Sequence, residues 1–284
     1  MKIKYYKPYT SSVRHKTSIN FFTLSKKSPE KSLLIKNHRV KGRNNQGKIT
    51  TRHKGGGHKK LYRSISIKKT KFNIVGRIIS IEYDPNRSSY ISLVYYENHT
   101  LEYILHVEGL KIGDYIYVTK SDPANLNLNL SLFSVGNTMP LKYIPLGTKI
   151  HNLEFFPGKG GQLLRSAGCF GKVLAKEKQY VAIRLPSQEI RLFNENCLAT
   201  IGKISNSLYY TIKLGKAGRK RWLGIRPTVR GSAMNPIDHP HGGGEGRCPI
   251  GKPSPLTPWG KKALGVKTRN RKKINYLIIK RRDK

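Results

Sequence analysis

Residues 74–119 read IVGRIISIEYDPNRSSYISLVYYENHTLEYILHVEGLKIGDYIYVT, and their punctuation decides the fold. The run 74–82 is apolar and β-branched, and Asp84-Pro85-Asn86 then supplies turn chemistry. A second run, 90–96, ends at Glu97-Asn98-His99, a third covers 101–107, and Gly113-Asp114 precedes a fourth at 115–119. Four short strands at roughly ten-residue spacing predict a small barrel or sandwich. A second β cluster is expected over 141–155, 171–176, 179–185 and 189–193, with turns at Glu177-Lys178 and Pro186-Ser187. Residues 121–135 between the clusters read as a surface loop. Two small barrels in series are therefore the expected core.

Outward from that core the composition changes. The 284-residue chain carries 55 Lys+Arg against 15 Asp+Glu, a formal net charge of +40. Residues 1–70 hold 20 basic and 1 acidic residue, residues 71–210 hold 15 and 11, and residues 211–284 hold 20 and 3. Solvated surfaces mix both signs, so a nearly neutral middle between two cationic arms calls for a polyanion. The hydrophobic fraction of 37% is low for a globular chain, which suits arms with little core of their own. Residues 1–70 show no sustained period and are broken by Pro8, Pro29, Gly42, Gly47 and Gly55-Gly56-Gly57. They read as an extended arm that orders on its partner. Beyond residue 214 the chain is expected to be irregular, with a short helix near 207–214.

Cys169, Cys197 and Cys248 contain no C-x-x-C pair, which disfavours a disulfide framework or a four-cysteine zinc ribbon. No apolar run reaches the ~20 residues needed to span a bilayer. No secretory signal is visible, whereas a basic, Ser-rich, acid-poor start is compatible with a transit peptide. Richness in Lys, Ile, Asn and Tyr hints at an AT-rich genome such as an organelle's.

Three segments concentrate chemistry. Arg52-His53-Lys54-Gly55-Gly56-Gly57-His58-Lys59-Lys60 alternates donors with glycines, which let backbone approach a phosphate closely. The blander alternative is a flexible linker. A P-loop is excluded, because no Gly-Lys-Ser/Thr follows. Residues 157–168 (PGKGGQLLRSAG), with Lys159 and Arg165, raise the same phosphate question beside a simple interdomain turn. Residues 235–247 (NPIDHPHGGGEGR) admit enzyme-like readings. A zinc site on His239, His241 and Cys248 lacks a fourth ligand and a standard spacing. An esterase-type HGGG loop needs a G-x-S-x-G elbow, which is absent. An Asp238–His239 acid/base pair has no nucleophile. A donor-rich loop pressed against phosphates is the reading left. Trp222, in GRKRWLGIRP, and Trp259, in PLTPWGKK, suit base stacking and a small apolar anchor equally.

Taken in order, GRNNQGKITTRHKGGGHKKLYR (42–63), EYDPNRS (82–88), PGKGGQLLRSAG (157–168), GIRPTVRGSAMNPIDHPHGGGEGR (224–247) and TPWG (257–260) closely resemble the universal large-subunit ribosomal protein L-two family. The resemblance runs from about residue 40 to the C-terminus. The ending GRCPIGKPSPLTPWGKKALG looks most like the cyanobacterial and plastid branch. It implies a mainly β chain: a basic N-terminal extension (1–70), an OB-fold barrel (71–120), a loop or linker (121–138), an SH3-like barrel (139–205) and a long irregular basic C-terminal extension (206–284). It implies primary binding to large-subunit ribosomal RNA, contacts with other ribosomal proteins and the small subunit, transfer RNA nearby, and support for the peptidyl transferase centre without chemistry of its own. Arginines that the family uses to hold RNA match Arg87 and Arg165. The family's histidine discussed for peptidyl transfer matches His239, with a supporting role. The first 35 residues match loosely, and the 121–135 loop looks longer than usual.

The residues expected at RNA are Arg52, His53, Lys54, Gly55, Gly56, Gly57, His58, Lys59, Arg63, Arg87, Lys159, Arg165, Arg219, Arg221, Trp222, Arg226, Arg230, His239, His241, Arg247, Lys252 and Trp259. No cofactor or protein-held metal is expected, and any Mg2+ would be held mainly by phosphates. The expected location is the plastid stroma, with bacterial cytoplasm as the alternative, and no membrane contact. Competing classes are an architectural DNA-binding protein, which would prefer random duplex DNA equally, and an RNA-acting enzyme centred on Asp238 and His239.

Overall fold

The computed structural model describes residues 3–37, 41–120, 133–246, 248–269 and 275–282. The expectation for Arg247, and most of that for the 121–135 loop, falls outside them.

The N-terminal region contains more secondary structure than its broken pattern predicts. Strand β1 (Ile3–Tyr5) pairs antiparallel with β2 (Thr17–Ile19) around the short helix α1 (Ser11–Arg14). Further on, β3 (Leu34–Lys36) pairs with β4 (Leu61–Arg63). The reason is packing by isolated side chains. Ile19 is buried, while Leu24, Leu33 and Ile65 lie against the barrel core. Single apolar anchors spaced this far apart leave no period to read.

The first barrel is built on β5 (Val75–Glu82), β6 (Ile91–Tyr96), β7 (Leu101–Leu105) and β8 (Tyr115–Tyr117), in the order β7-β6-β5-β8. All four coincide with the predicted runs. The β5–β6 register shifts between Ile78 and Ser80, a bulge that bends the strand. Gly76 sits where a Cβ would lie 2.6 Å from Val94, so only glycine lets β5 and β6 close at that point. Ile78, Ile81, Tyr90, Val94, Tyr96, Ile104 and Ile116 fill the interior.

The second barrel uses β9 (Thr138–Pro140), β10 (Lys149–His151), β11 (Leu153–Glu154), β12 (Gly161–Leu163), β13 (Gly171–Glu177), β14 (Tyr180–Arg184), β15 (Ile190–Asn194) and β16 (Leu198–Ile201). The hairpin turns fall where predicted, with Lys178 and Gln188 at positive φ. The C-terminal region is mostly irregular, as expected, with two additions. A helix α2 (Ala217–Trp222) was not foreseen, and β17 (Ile278–Lys280) adds to the sheet beside β15. Residues Ser207–Thr211, expected as a helix, form a 3-10 turn.

The architecture is mainly β, an OB-fold followed by an SH3-like barrel. Compact units do not follow chain order. One comprises Met1–His38, Lys59–Lys216 and Tyr276–Lys284, and the other comprises Arg39–His58 and Ala217–Asn275. Both barrels belong to the first. Within it they share a hydrogen-bonded seam: Val107 bridges Ile204, Val118 bridges Thr138, and the Tyr117 N–H donates to Asn137 Oδ1 at 2.9 Å. Gly202 is tight against this seam, since a Cβ there would lie 2.5 Å from Val107.

Candidate nucleic-acid interface

In the barrel unit the Asp-Pro-Asn turn is organised by a buried carboxylate. Asp84 has 0% exposure and accepts the Asn86 N–H at 2.8 Å through Oδ1 and Arg87 Nε–H at 2.6 Å through Oδ2. Arg87 is therefore aimed, rather than loose at a turn. The Asn86 amide donates to Leu61 O and Lys60 Nζ to Pro85 O, both at 2.7 Å, which bring the segment carrying Lys59 and Arg63 alongside. The second barrel's Ala167 N–H donates to Ser88 Oγ at 3.2 Å, and the Asn206 amide donates to Ser88 O. Arg87 and Arg165, far apart in sequence, thus flank one seam, with Arg165 exposed.

At the glycine loop 157–161, which the sequence leaves between a phosphate contact and a simple turn, Gly158 and Gly160 donate to Glu154 at 3.1 and 2.9 Å. The Leu198 N–H donates to the same carboxylate at 3.0 Å. A buried internal anion thus occupies the cradle, which rigidifies the loop and leaves Lys159 exposed on it. Burial pushes the adjacent Cys197 thiol up to about 12, with Glu154 adding to the shift, so this cysteine stays neutral.

The second unit joins stretches from both ends of the chain. Lys54 bridges Ile225, the Gly55 N–H donates to Gly224 O at 2.9 Å, the His58 N–H to Trp222 O at 2.9 Å, and the Arg226 N–H to His53 O at 3.0 Å. The glycine run 55–57 is therefore partly a protein ladder, and its lack of side chains serves strand approach as well as any phosphate. A cavity of about 450 Å³ opens beside it, lined by Lys41, Arg43, Arg52, Lys54 and Arg226 with the Gly55 and Gly56 backbone. Among the described residues five cations and no carboxylate line this hollow, a geometry suited to phosphate oxygens. Arg219, Arg221 and Trp222 lie on α2, with Trp222 exposed.

The HPHGGG segment folds around its two imidazoles. His239 is buried and packs on Gly231, where a Cβ would lie 2.4 Å from the ring. Its Nδ1 accepts the His241 N–H at 3.0 Å, and His241 Nε2 accepts the Leu256 N–H at 2.9 Å. The Cys248 thiol donates to Glu245 O at 2.9 Å. These side chains hold the loop rather than converge on one point. Residues 255–263 form a hairpin, closed by Leu256 bridging Lys262, whose tip presents Trp259 to solvent. Arg230 and Lys252 are exposed in the same unit.

Asp84 and Glu154 were missed as site residues. The Asp-Pro-Asn turn hinted at the first through its side-chain-to-backbone capping habit. Nothing in sequence placed Glu154 beneath a loop that starts three residues later.

An OB-fold and an SH3-like barrel sharing one seam, with arginines, lysines and glycines displayed around it, define a structural RNA-binding protein. Two family models match the chain: "Ribosomal Proteins L2, RNA binding N-terminal domain" over residues 30–118, and "Ribosomal Proteins L2, C-terminal domain" over residues 134–260. The chain belongs to the ribosomal protein L2 family, and its role is that of a structural, ribosomal-RNA-binding component of the large subunit.

Proposed function

We propose that this chain holds large-subunit RNA by replacing counterions at two prepared cationic surfaces, without chemistry of its own. The observation that carries the reading is the hollow lined by Lys41, Arg43, Arg52, Lys54 and Arg226, with no carboxylate among its described lining residues. Arg87 and Arg165 supply the corresponding contacts at the barrel seam. Unlike a loose polycation, such a surface presents charge in fixed positions, so it favours folded RNA over arbitrary duplex. His239, with Nδ1 engaged by the His241 N–H, shapes its loop instead of abstracting protons. Mg2+ at the interface would be held mainly by phosphates.

The finer assignments rest on the sequence resemblance: a bacterial-type chain of the plastid branch working in the plastid stroma, with a supporting part in subunit association, transfer-RNA binding and the peptidyl transferase centre. The test is binding of the full chain to folded large-subunit RNA across a salt series. Roughly ten phosphate contacts give a log–log slope of about −7 to −9. A shallow slope, or equal affinity for random duplex DNA, would overturn the reading.

A further inference from the structure

The chain from Ile19 to Ser25 is pinned at both ends. Ile19 is buried, Leu24 packs on the first barrel's core, and Ser25 exchanges two hydrogen bonds with Ile81. The turn between them is closed by Leu24 N–H donating to Phe21 O at 3.0 Å and Phe22 N–H donating to Asn20 Oδ1 at 3.2 Å. It displays two adjacent phenylalanines outside the core. Phe21 lies 5.5 Å from the Tyr83 ring and 6.5 Å from Tyr90, while Phe22 is 90% exposed. Large apolar rings held in water by an anchored turn are not explained by the barrel's own packing.

Polar and charged groups accompany the rings. Tyr90 is 2% exposed, yet its hydroxyl is buried with no hydrogen-bond partner among the described residues, and so are the hydroxyls of Ser89 and Ser205. Buried polar groups are normally satisfied, so these three are unusual, but being closed to solvent they take no part in what the exposed rings meet. Two arginines accompany this stretch of the barrel unit, with Arg87 over the Tyr62 ring at 5.8 Å. Arg87 is aimed by Asp84, and Arg63 lies near enough to oppose the upward shift that burial imposes on the Tyr83 hydroxyl.

We propose that Phe21, Phe22 and Tyr83 form a stacking platform for an unpaired RNA base, with Arg63 and Arg87 taking its flanking phosphates. The inference rests on the RNA-binding reading above and adds a ligand class to it. Every base offers a π-face, but only an unstacked one can present it to a side chain.

The test uses the full chain and two RNAs of equal phosphate count: a hairpin with 2-aminopurine in its unpaired loop, and a fully paired duplex. The expected result is a change in 2-aminopurine fluorescence on binding, lost in the double variant Phe21→Leu/Phe22→Leu. Its affinity for the hairpin falls roughly ten- to a hundredfold, with the salt slope and duplex affinity unchanged. Phe22→Leu alone, on a solvated side chain, reproduces part of the loss without touching the fold. Variants that match the parent on both RNAs, or lose both equally, overturn the platform while leaving general RNA binding intact. Loss of binding to another protein with RNA affinity unchanged overturns it too. A parent chain with no salt-steep affinity for either RNA overturns the underlying reading as well.

Discussion

Arg87 Nε donates to Asp84 Oδ2 at 2.6 Å, and the acceptor has no exposure to solvent while the arginine side chain keeps 19% of its own. The pair is asymmetric: a fully buried carboxylate holds a cation that is mostly but not wholly covered. Removing either partner therefore has different consequences. Asp84→Ala frees Arg87 and leaves the Asn86 N–H without its acceptor, so both fold and RNA affinity fall. Arg87→Ala strands a buried carboxylate, with an expected loss of about 1–3 kcal/mol after allowance for the arginine's partial exposure. Denaturant titration beside RNA binding separates them: Arg87→Ala makes the salt slope shallower by about one, whereas Asp84→Asn should keep most of the slope.

Glu154 accepts three backbone N–H groups inside the second barrel. Glu154→Ala leaves the Gly160 and Leu198 donors buried and unpaired, each at a cost of about 1–3 kcal/mol before relaxation, while the exposed Gly158 N–H can turn to water. Thermal unfolding should show a loss of several kcal/mol, and Glu154→Gln a smaller one. An alanine variant as stable as the parent would show that the loop's N–H groups are wetted instead.

Acid should weaken the barrel unit. Burial lowers both His106 and His151 from 6.5 to about 4, with the Lys69 charge adding to the shift at His151 and its bond to Gly202 O opposing it. The unfolded chain thus takes up protons first as pH falls from about 6.5 to 4, and stability drops through that window. Each histidine contributes up to about 3 kcal/mol of this loss. Denaturant midpoints measured from pH 7 to pH 4 check it, and a His106→Gln/His151→Gln variant should flatten the profile.

Gly231 is the floor beneath His239, and a Cβ there would lie 2.4 Å from the imidazole. Gly231→Ala therefore displaces the ring and loosens the His241 and Leu256 amides that depend on the two imidazoles. Hydrogen exchange at those amides should accelerate by at least about tenfold, a local opening that the barrel amides do not share. Unchanged exchange would show that the loop is held from elsewhere.

Much of the fold was legible. The four runs between residues 74 and 119 became β5 to β8 because each alternates or concentrates β-branched residues between turn formers, a signal carried within a few residues. The charge count by segment likewise places the surplus cations at the two ends of the chain. What stayed hidden depends on contacts across long separations: Leu24 and Leu33 plugging a barrel formed some fifty residues later, β17 finding β15, and the 53–58 segment laddering with 222–226.

Local composition thus determined on its own that this chain would build two small β cores and carry its surplus positive charge in the segments before and after them, because strand propensity, turn chemistry and charge count are properties of short windows. Only the tertiary structure decided where the glycine loops' N–H groups go. A carboxylate such as Glu154 competes with an external phosphate for the same donors, and which anion wins depends on distances that no window of sequence contains.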